Sequence, residues 1–588
     1  MNILKMKFMR FLGFKTKPKA PWKKYYTKDE MKIKIPDISM YELLEKSVKK
    51  YGNKTAIEYY GTKISFKDLL KHIDEAARSF KALGIHHGDI VTVLSANVPE
   101  AIYAIYGLNK IGAVANIVHP LSSENEIKEA LNRYSTVMLV AIDITYEKVK
   151  NIIADTKVYK TVVISARDSM NMLYKIGYEV TSGRKVLKPK KNNMYIYWRD
   201  FIASGRTYDK PIGKHKVDKD YPALILHSGG STGIPKGIVL SNGNMNAQRL
   251  QALSVLDDLN IDDVILSIMP IFHGFGFAVG INDALSCGAK VVLIPIFKAR
   301  EFDKLIKKHN PSILIGVPTL FEALLGNKGM NKVKLSNLKY VISGGDSLNK
   351  ERISKINDFL SHHGAKTKML QGFGMTEAVA VVSLDLKANS KPGTVGIPFP
   401  GTYVKIVKPS TDIEVPLGED GEICISGPSV MLGYYDNEKE TNESLRIHSD
   451  GNVWLHSGDI GSMDEDGFIT YKQRLKRMII TSGYNVYPSQ IEEVLEKHPA
   501  VLDSSVVGVP HPYKQEVAKA FIALKKGYHD TPSLRKELND LCKKNLATYA
   551  IPKYYEFRKS LPKTMIGKVD FKKLQQENME KREKDDKN

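Results

Sequence analysis

The chain has little cysteine: Cys287, Cys424 and Cys542 are the only three in 588 residues, and none forms a CxxC pair. That excludes a disulfide scaffold and a zinc site built on paired thiolates, and it suits a reducing compartment. Long apolar runs are also missing. No stretch of about 18 apolar residues occurs, so no helix is expected to span a bilayer. The opening MNILKMKFMRFLGFK interrupts its apolar residues with Lys5, Lys7 and Arg10, unlike the unbroken core of a secretory leader. A cytoplasmic protein is expected, with peripheral contact at the inner face of the membrane left open. There is no internal repeat and no nucleic-acid-binding motif, so nucleic acid is not an expected partner.

What is present is ordinary globular composition, 43% hydrophobic and 26% charged. The net charge of +22 is unevenly placed. Residues 1–35 hold 11 basic and 2 acidic residues, and residues 181–216 hold 10 and 2. In the first segment Leu4, Phe8, Phe11 and Leu12 would share one side of a helix. Basic charge beside an apolar stripe suits an anionic lipid surface better than nucleic acid. The alternative is a solvated basic arm. The stretch VTSGRKVLKPKKNNMYIYW reads as a surface insertion.

From about residue 55, short β-rich runs alternate with helical stretches. IVTVLSA (90–96), VMLVAI (137–142), KTVVIS (160–165), PALILH (222–227), VVLIPI (291–296) and SILIGV (312–317) are such runs. Apolar strands separated by helices imply parallel sheets covered on both faces. After residue 392 short strands with Gly and Pro turns suggest a small β subdomain. The end reads helix (QIEEVLEKH), strand, strand, helix (LRKELNDLCKK), followed by a frayed tail, EKREKDDKN. The expected fold is therefore α/β. A basic arm (1–35) precedes a large domain (36–475) with two parallel α/β sheets and a β subdomain at about 392–475. A small α+β domain (476–588) follows.

The strongest local signal is Ile225-Leu-His-Ser-Gly-Gly-Ser-Thr-Gly-Ile-Pro-Lys236-Gly. A strand leads into Ser228, Gly229, Gly230, Ser231, Thr232 and Gly233, whose backbone N–H groups and hydroxyls can curl around an anion, with Lys236 adding charge. This is neither a Walker loop nor a dinucleotide fingerprint. Gln371-Gly-Phe-Gly-Met-Thr-Glu377 puts a hydroxyl and a carboxylate after a glycine loop: Thr376 can donate to a phosphate, and Glu377 can hold Mg²⁺. Thr376-Glu377 alone could equally be a helix N-cap. Asp459 follows a Gly turn in WLHSGD, where a carboxylate can accept two ribose hydroxyls or make an ordinary Asx turn. Arg474-Leu-Lys476, Ser482-Gly483-Tyr484 and Pro562-Lys-Thr-Met-Ile-Gly-Lys568 complete the set.

In this order, from about residue 40 to residue 575, these segments resemble the adenylate-forming superfamily of acyl-CoA synthetases, luciferases and adenylation domains. SGGSTGIPKG looks like the family's phosphate loop, Pro270-Ile-Phe-His273-Gly its substrate-pocket motif, and Ser343-Gly-Gly345-Asp346 its adenine-side turn. The resemblance implies ATP, Mg²⁺ and CoA as cofactor and co-substrates. The loop from Ser228 to Lys236 would hold the β- and γ-phosphates. Thr376 would touch the α-phosphate and Glu377 would bind Mg²⁺. Asp459 and Arg474 would grip the ribose, with Gly345 and Asp346 beside the adenine. Lys568 would reach the α-phosphate and the substrate carboxylate. Lys476 falls at the hinge of a mobile small domain, and rotation there would bring Gly483 to the CoA side. The substrate pocket would include His273, Phe277, Gly372 and Phe373, with Phe277 either gating an apolar channel or simply packing the core.

Three positions depart from the family pattern: Gln473 before Arg474, Ser457 for a common Thr, and Gly372-Phe373 for a frequent Tyr-Gly. Pro21-Trp22-Lys-Lys-Tyr25-Tyr26 and GYNVYPSQIEE look most like bacterial-type long-chain fatty acyl-CoA synthetases. The expected reaction is formation of acyl-AMP from a medium- or long-chain fatty acid, then transfer to CoA. Delivery to a carrier protein, a CoA ligase for aryl or other acids, and a non-enzymatic nucleotide-binding scaffold are the alternatives. Oligomeric state is not legible.

Overall fold

The computed structural model describes residues 11, 13–181, 183–187, 189, 192–212, 217–228, 236–256, 258–346, 348, 350–481, 484–511, 513–564 and 569–585. The chain divides into two compact units. One comprises Met1–Gly345, Ile353–Val404 and Ile425–Leu455; the other comprises Asp346–Arg352, Lys405–Cys424 and His456–Asn588.

The first unit holds two large sheets. One runs Ile397–Pro398, Ser383–Leu384, Met369–Phe373, Tyr340–Ser343, Ile313–Gly316, Val264–Ser267, Lys290–Leu293, Thr55–Tyr59, Thr62–Ser65. Its central pairs are parallel, as between Ile313–Gly316 and Tyr340–Ser343. The other runs Gly433–Tyr434, Lys236–Ser241, Pro222–Ser228, Val114–Val118, Ile90–Leu94, Met138–Ile142, Lys160–Ile164, Tyr195–Tyr197. Central strands such as Ile90–Leu94 are buried on both faces, which is why they read as unbroken apolar runs. Helices start where the sequence supplies caps. Ser39 with Glu42 and Ser123 with Glu126 both form reciprocal capping boxes.

The second unit carries the sheet Tyr484–Val486, Ile479–Thr481, Gln515–Leu524, Val501–His511, with Tyr554–Arg558 added in parallel. Helices Pro488–Glu496 and Pro532–Asn545 bury Ile491, Leu495 and Leu538 with Val506 and Ala520. The expected helix, strand, strand, helix order is present. The strand Val453–Met463 pairs with Leu445–Ile447 through its first residues and with Ile469–Arg474 through its later ones.

Three expectations are corrected. From Phe14 onward the basic N-terminal segment is not a free arm. The Phe14 ring lies 4.4 Å from Tyr403, Trp22 is fully buried, and the Tyr26 hydroxyl donates to Pro398 O at 3.1 Å. Those aromatic side chains gain more by burial than by solvation. Leu4, Phe8 and Leu12, the rest of the expected stripe, lie outside the described residues. The stretch read as an insertion is only partly one: its apolar end forms the edge strand Tyr195–Tyr197 and opens the helix Trp198–Arg206, with Phe201 fully buried. The C-terminal tail, expected to fray, continues the helix Phe571–Asp585 as far as Asp585, and residues 586–588 lie outside the described residues.

Candidate active site

In the first unit, the Gly-rich segment joins two antiparallel strands. Ser228 and Lys236 face each other across the hairpin, so the chain leaves and re-enters the sheet at one point. Gly229, Gly230, Ser231, Thr232 and Gly233, and the Ser228 side chain, lie outside the described residues. The strand leading in is fixed from within. His227 Nε2–H donates to Asn116 Oδ1 at 2.7 Å, Asn116 Nδ2 donates to Thr92 Oγ1 at 2.9 Å, and Thr92 meets the Thr136 hydroxyl at 2.7 Å. Burial, helped by the charge of Arg133, pushes His227 down to about 4, so the ring is neutral at pH 7.

Lys236 pairs with Glu440, and its ammonium lies 5.0 Å from the centre of the Tyr434 ring. Tyr434 stands on the short strand Gly433–Tyr434, which pairs with the strand that Lys236 opens. The Tyr434 hydroxyl donates to Glu377 Oε1 at 3.0 Å, and Met431 N–H donates to the Glu377 carbonyl at 2.8 Å. A buried carboxylate is thus held from a strand that also approaches Lys236. The sequence reading missed Tyr434 and Glu440. The one available signal was a Gly-Tyr pair directly after an apolar stretch.

Thr376 and Glu377 occupy a single 3₁₀ turn, Thr376–Ala378, beyond the strand Met369–Phe373. Met375 precedes the turn and no side chain caps it, so Thr376 does not serve as an N-cap. The next residue, Val379, has φ +66° and ψ −64°, and Ala380 N–H donates to Ala378 O at 2.8 Å. This is a γ-turn on a β-branched residue, a conformation that costs about 1–3 kcal/mol. Two glycines permit it. A Cβ on Gly374 would stand 1.7 Å from Ala380 O, and one on Gly274 would stand 2.1 Å from Val379 O.

The latter contact ties the turn to the predicted pocket motif. His273 N–H donates to Pro270 O at 3.0 Å, and Phe277 N–H donates to His273 O at 2.8 Å. Asn97, not foreseen, holds this loop with three bonds. Its amide donates to Ser267 O and Met269 O at 3.0 and 2.9 Å and accepts from Ile271 N–H at 2.8 Å. Phe277 lies on the π-helical stretch Phe275–Asp283, fully buried, with its ring 6.1 Å from Tyr106. Gly372 and Phe373 end their strand opposite Leu384 and Ser383. Gly345 follows the strand Tyr340–Ser343 at φ +78°. Asp346, exposed, begins the segment that belongs to the second unit.

In the second unit, Asp459 is not in a turn but within the strand Val453–Met463, kinked at Gly458 (φ +67°). Asp459 and Arg474 are cross-strand partners, and Arg474 Nε lies 3.1 Å from Asp459 Oδ1. Ser457 Oγ accepts from Asp459 N–H at 3.0 Å, so the serine keeps a hydroxyl in use. Glu422 takes Gly458 N–H at 3.1 Å and His456 Nδ1 at 2.9 Å. Burial works to raise the Glu422 carboxyl, but the hydrogen bond and charge of His456 outweigh it and the net shift is downward.

Lys476 is exposed in the turn Leu475–Arg477. Lys568 and Gly483 lie outside the described residues. Gly483 falls between the paired strands Ile479–Thr481 and Tyr484–Val486, and Lys568 between the bridged residues Lys563 and Val569. Just beyond, Lys572 is depressed first by burial and then by the charges of Lys476 and Arg474, with Asp570 opposing. Cations thus converge here, as an anionic ligand would require.

The first unit is thus an α/β body with a lysine-closed hairpin and a buried carboxylate held by Tyr434, and the second unit carries an Asp–Arg pair. The chain belongs to the AMP-binding enzyme family, whose profile matches residues 44–435, and the family's C-terminal domain matches residues 490–568. A curated relative from Bacillus subtilis, named long-chain-fatty-acid–CoA ligase, is 32% identical, covering 95% of this chain and 98% of its own. A relative of the same name from Escherichia coli is 30% identical over 92% and 94%. Among solved structures, ATP-bound MatB from Rhodopseudomonas palustris shares the fold, with a TM-score of 0.78 and 24% identity over 92% of this chain and 98% of that one.

Proposed function

We propose that this protein is an ATP-dependent acid–thiol ligase. It converts a medium- or long-chain fatty acid to acyl-AMP with release of pyrophosphate, then to the CoA thioester. The names of the two relatives support the substrate class. The observation that carries the reading is the Glu377–Tyr434 hydrogen bond beside Lys236, at the hairpin that brackets the Gly-rich segment.

In the first step a carboxylate oxygen attacks the α-phosphorus and the bond to pyrophosphate breaks. Two anions must meet, which costs Coulombic repulsion unless fixed cations and donors offset it. Lys236 and the loop from Ser228 to Gly233 take the β- and γ-phosphates. Thr376 donates to the α-phosphate, and Lys568 spans that phosphate and the acid. Asp459 accepts the ribose hydroxyls, aimed by its pairing with Arg474, with Gly345 and Asp346 beside the adenine. The oxygen donor of Glu377 fits Mg²⁺, which prefers carboxylate and phosphate oxygens. Glu377 would hold the ion, which supplies charge neutralisation on the phosphates. In the second step the CoA thiol attacks the acyl carbon and AMP leaves. Rotation about Lys476 withdraws Lys568 and brings Gly483 to the thiol's path. The acid's chain runs past His273, Gly372 and Phe373 toward Phe277. The basic segments 1–35 and 181–216 contact the membrane surface from which such a substrate partitions.

The test is pyrophosphate release with ATP and Mg²⁺ across saturated fatty acids of rising length, with and without CoA. Thioester formation that peaks at longer chains supports the reading. Acid-dependent pyrophosphate exchange without thioester moves the acceptor to a carrier protein. No activity with any fatty acid removes the substrate class. A Phe277→Ala enzyme with an unchanged chain-length profile rejects the gate.

A further inference from the structure

We propose that the helix Met172–Val180 is an interfacial anchor that lies flat on an anionic lipid bilayer with its apolar stripe among the acyl chains. This deepens the membrane-surface part of the proposed function, and places the apolar part of the contact on a helix directly ahead of the second basic segment.

A surface helix normally turns its apolar stripe inward. This one does the reverse. Met172, Leu173, Ile176 and Val180 are 73%, 76%, 57% and 56% exposed. At 100° per residue these four fall within an arc of about 100°, a continuous stripe of about two helical turns. No residue of the helix is buried. The opposite side is tethered to the protein. Asn171 caps the helix by accepting Tyr174 N–H at 3.0 Å, and its own N–H donates to Tyr60 O at 3.3 Å. The Tyr174 ring lies 5.4 Å from Tyr60, and its hydroxyl takes a bond from Lys308 at 3.2 Å. Glu179, at the edge of the stripe, pairs with Arg167. The helix is therefore held in place while its apolar stripe faces water. Uncovered apolar patches of this kind mark a surface awaiting a partner.

The charge that follows the stripe in the sequence selects the partner. Lys175 lies on the helix, and Arg184, Lys185, Lys188, Lys190 and Lys191 follow within eleven residues of its end, against one acidic residue, Glu179. Leu187, which falls between these cations in the sequence, is 51% exposed. A protein partner would be met by an apolar stripe with mixed charges at its rim. A stripe of four aliphatic residues followed by a run of cations matches the headgroup boundary of an anionic bilayer: acyl chains take the aliphatic residues, and lipid phosphates take the lysines.

The test is co-flotation of the full-length protein with phosphatidylcholine vesicles with and without phosphatidylglycerol. Wild type binds the anionic vesicles and releases them at high salt. The Leu173→Ser/Ile176→Ser variant loses about tenfold or more in partitioning, since two half-buried aliphatic side chains are worth that factor. A Lys5→Ser/Lys7→Ser/Phe8→Ser variant keeps most of the binding. Leu173→Trp gains a blue-shifted emission quenched by brominated acyl chains, a signal that the buried Trp22, Trp198 and Trp454 do not give. Undiminished binding by the Leu173→Ser/Ile176→Ser variant overturns the proposal. So does sedimentation showing that the stripe pairs two copies of this chain instead. Ligation of a soluble acid is read separately: if it is absent while flotation behaves as described, the ligase reading fails and the anchor stands.

Discussion

Around Glu377 polar groups are buried and the backbone is bent to hold them, whereas along Met172–Val180 aliphatic groups face water from a helix that buries nothing. Both regions belong to the same unit. In the first, an unfavourable γ-turn at Val379 is retained because the surrounding chain fixes a carboxylate through Tyr434 and leaves no room for side chains at Gly274 and Gly374. In the second, unfavourable exposure is retained although the other side of the same helix sets the Tyr174 ring against Tyr60. On the proposed readings, strain held in the interior marks where a ligand's charge is to be met, and apolar area left at the surface marks where a lipid phase is to be met.

Four experiments would break or sharpen that contrast. The largest effect belongs to the interior carboxylate. Glu377→Gln lowers the adenylation rate by about 100-fold or more, while Tyr434→Phe, which only frees the carboxylate to turn, costs roughly tenfold. Equal losses in both would assign the tyrosine a direct role, and pyrophosphate exchange measures each. Next, Gly274→Ala drives a methyl into Val379 O and destabilises the fold by about 1–3 kcal/mol in urea unfolding. A neutral result would show that the γ-turn relaxes freely.

The third probe is hydrogen-bonded to Ser169, just ahead of the outward-facing helix in the chain. Glu100 is buried, its carboxyl accepts from Ser169 Oγ at 2.5 Å, and burial, then the charge of Asp168, pushes it from 4.5 up to about 8. The folded state therefore holds a proton that the unfolded chain has released. This contribution to stability is fullest below pH 4.5 and is lost as pH rises through about 8. Glu100→Gln should flatten that part of the stability–pH curve, by up to about 1 kcal/mol per pH unit in a denaturant series. A curve as steep as that of wild type removes Glu100 as its source. The smallest effect is on the helix itself: Leu173→Ser/Ile176→Ser leaves unfolding within about 0.5 kcal/mol of wild type. A larger loss would mean that the stripe packs on the protein.

Much of the fold was legible because the central strands are apolar on both faces and leave little ambiguity, as in ILIG at 313–316. The hairpin was legible in part: the glycines announced a loop, but not that Ser228 and Lys236 would stand opposite each other. Tyr434 was not legible, since it reaches Glu377 from a two-residue strand whose place depends on a partner nearly 200 residues earlier in the chain. Val379 was less legible still, because positive φ is the last conformation a valine's sequence suggests. The N-terminal segment misled for a simpler reason. Composition reports charge, and the aromatic residues between the lysines decide docking.

The most direct measurement is phosphorus NMR of the protein turning over ATP, Mg²⁺, a long-chain fatty acid and CoA. AMP and pyrophosphate should appear in equal amounts, matched by acyl-CoA, and all three should fall together in Glu377→Gln. ADP and inorganic phosphate as the products would contradict adenylation outright.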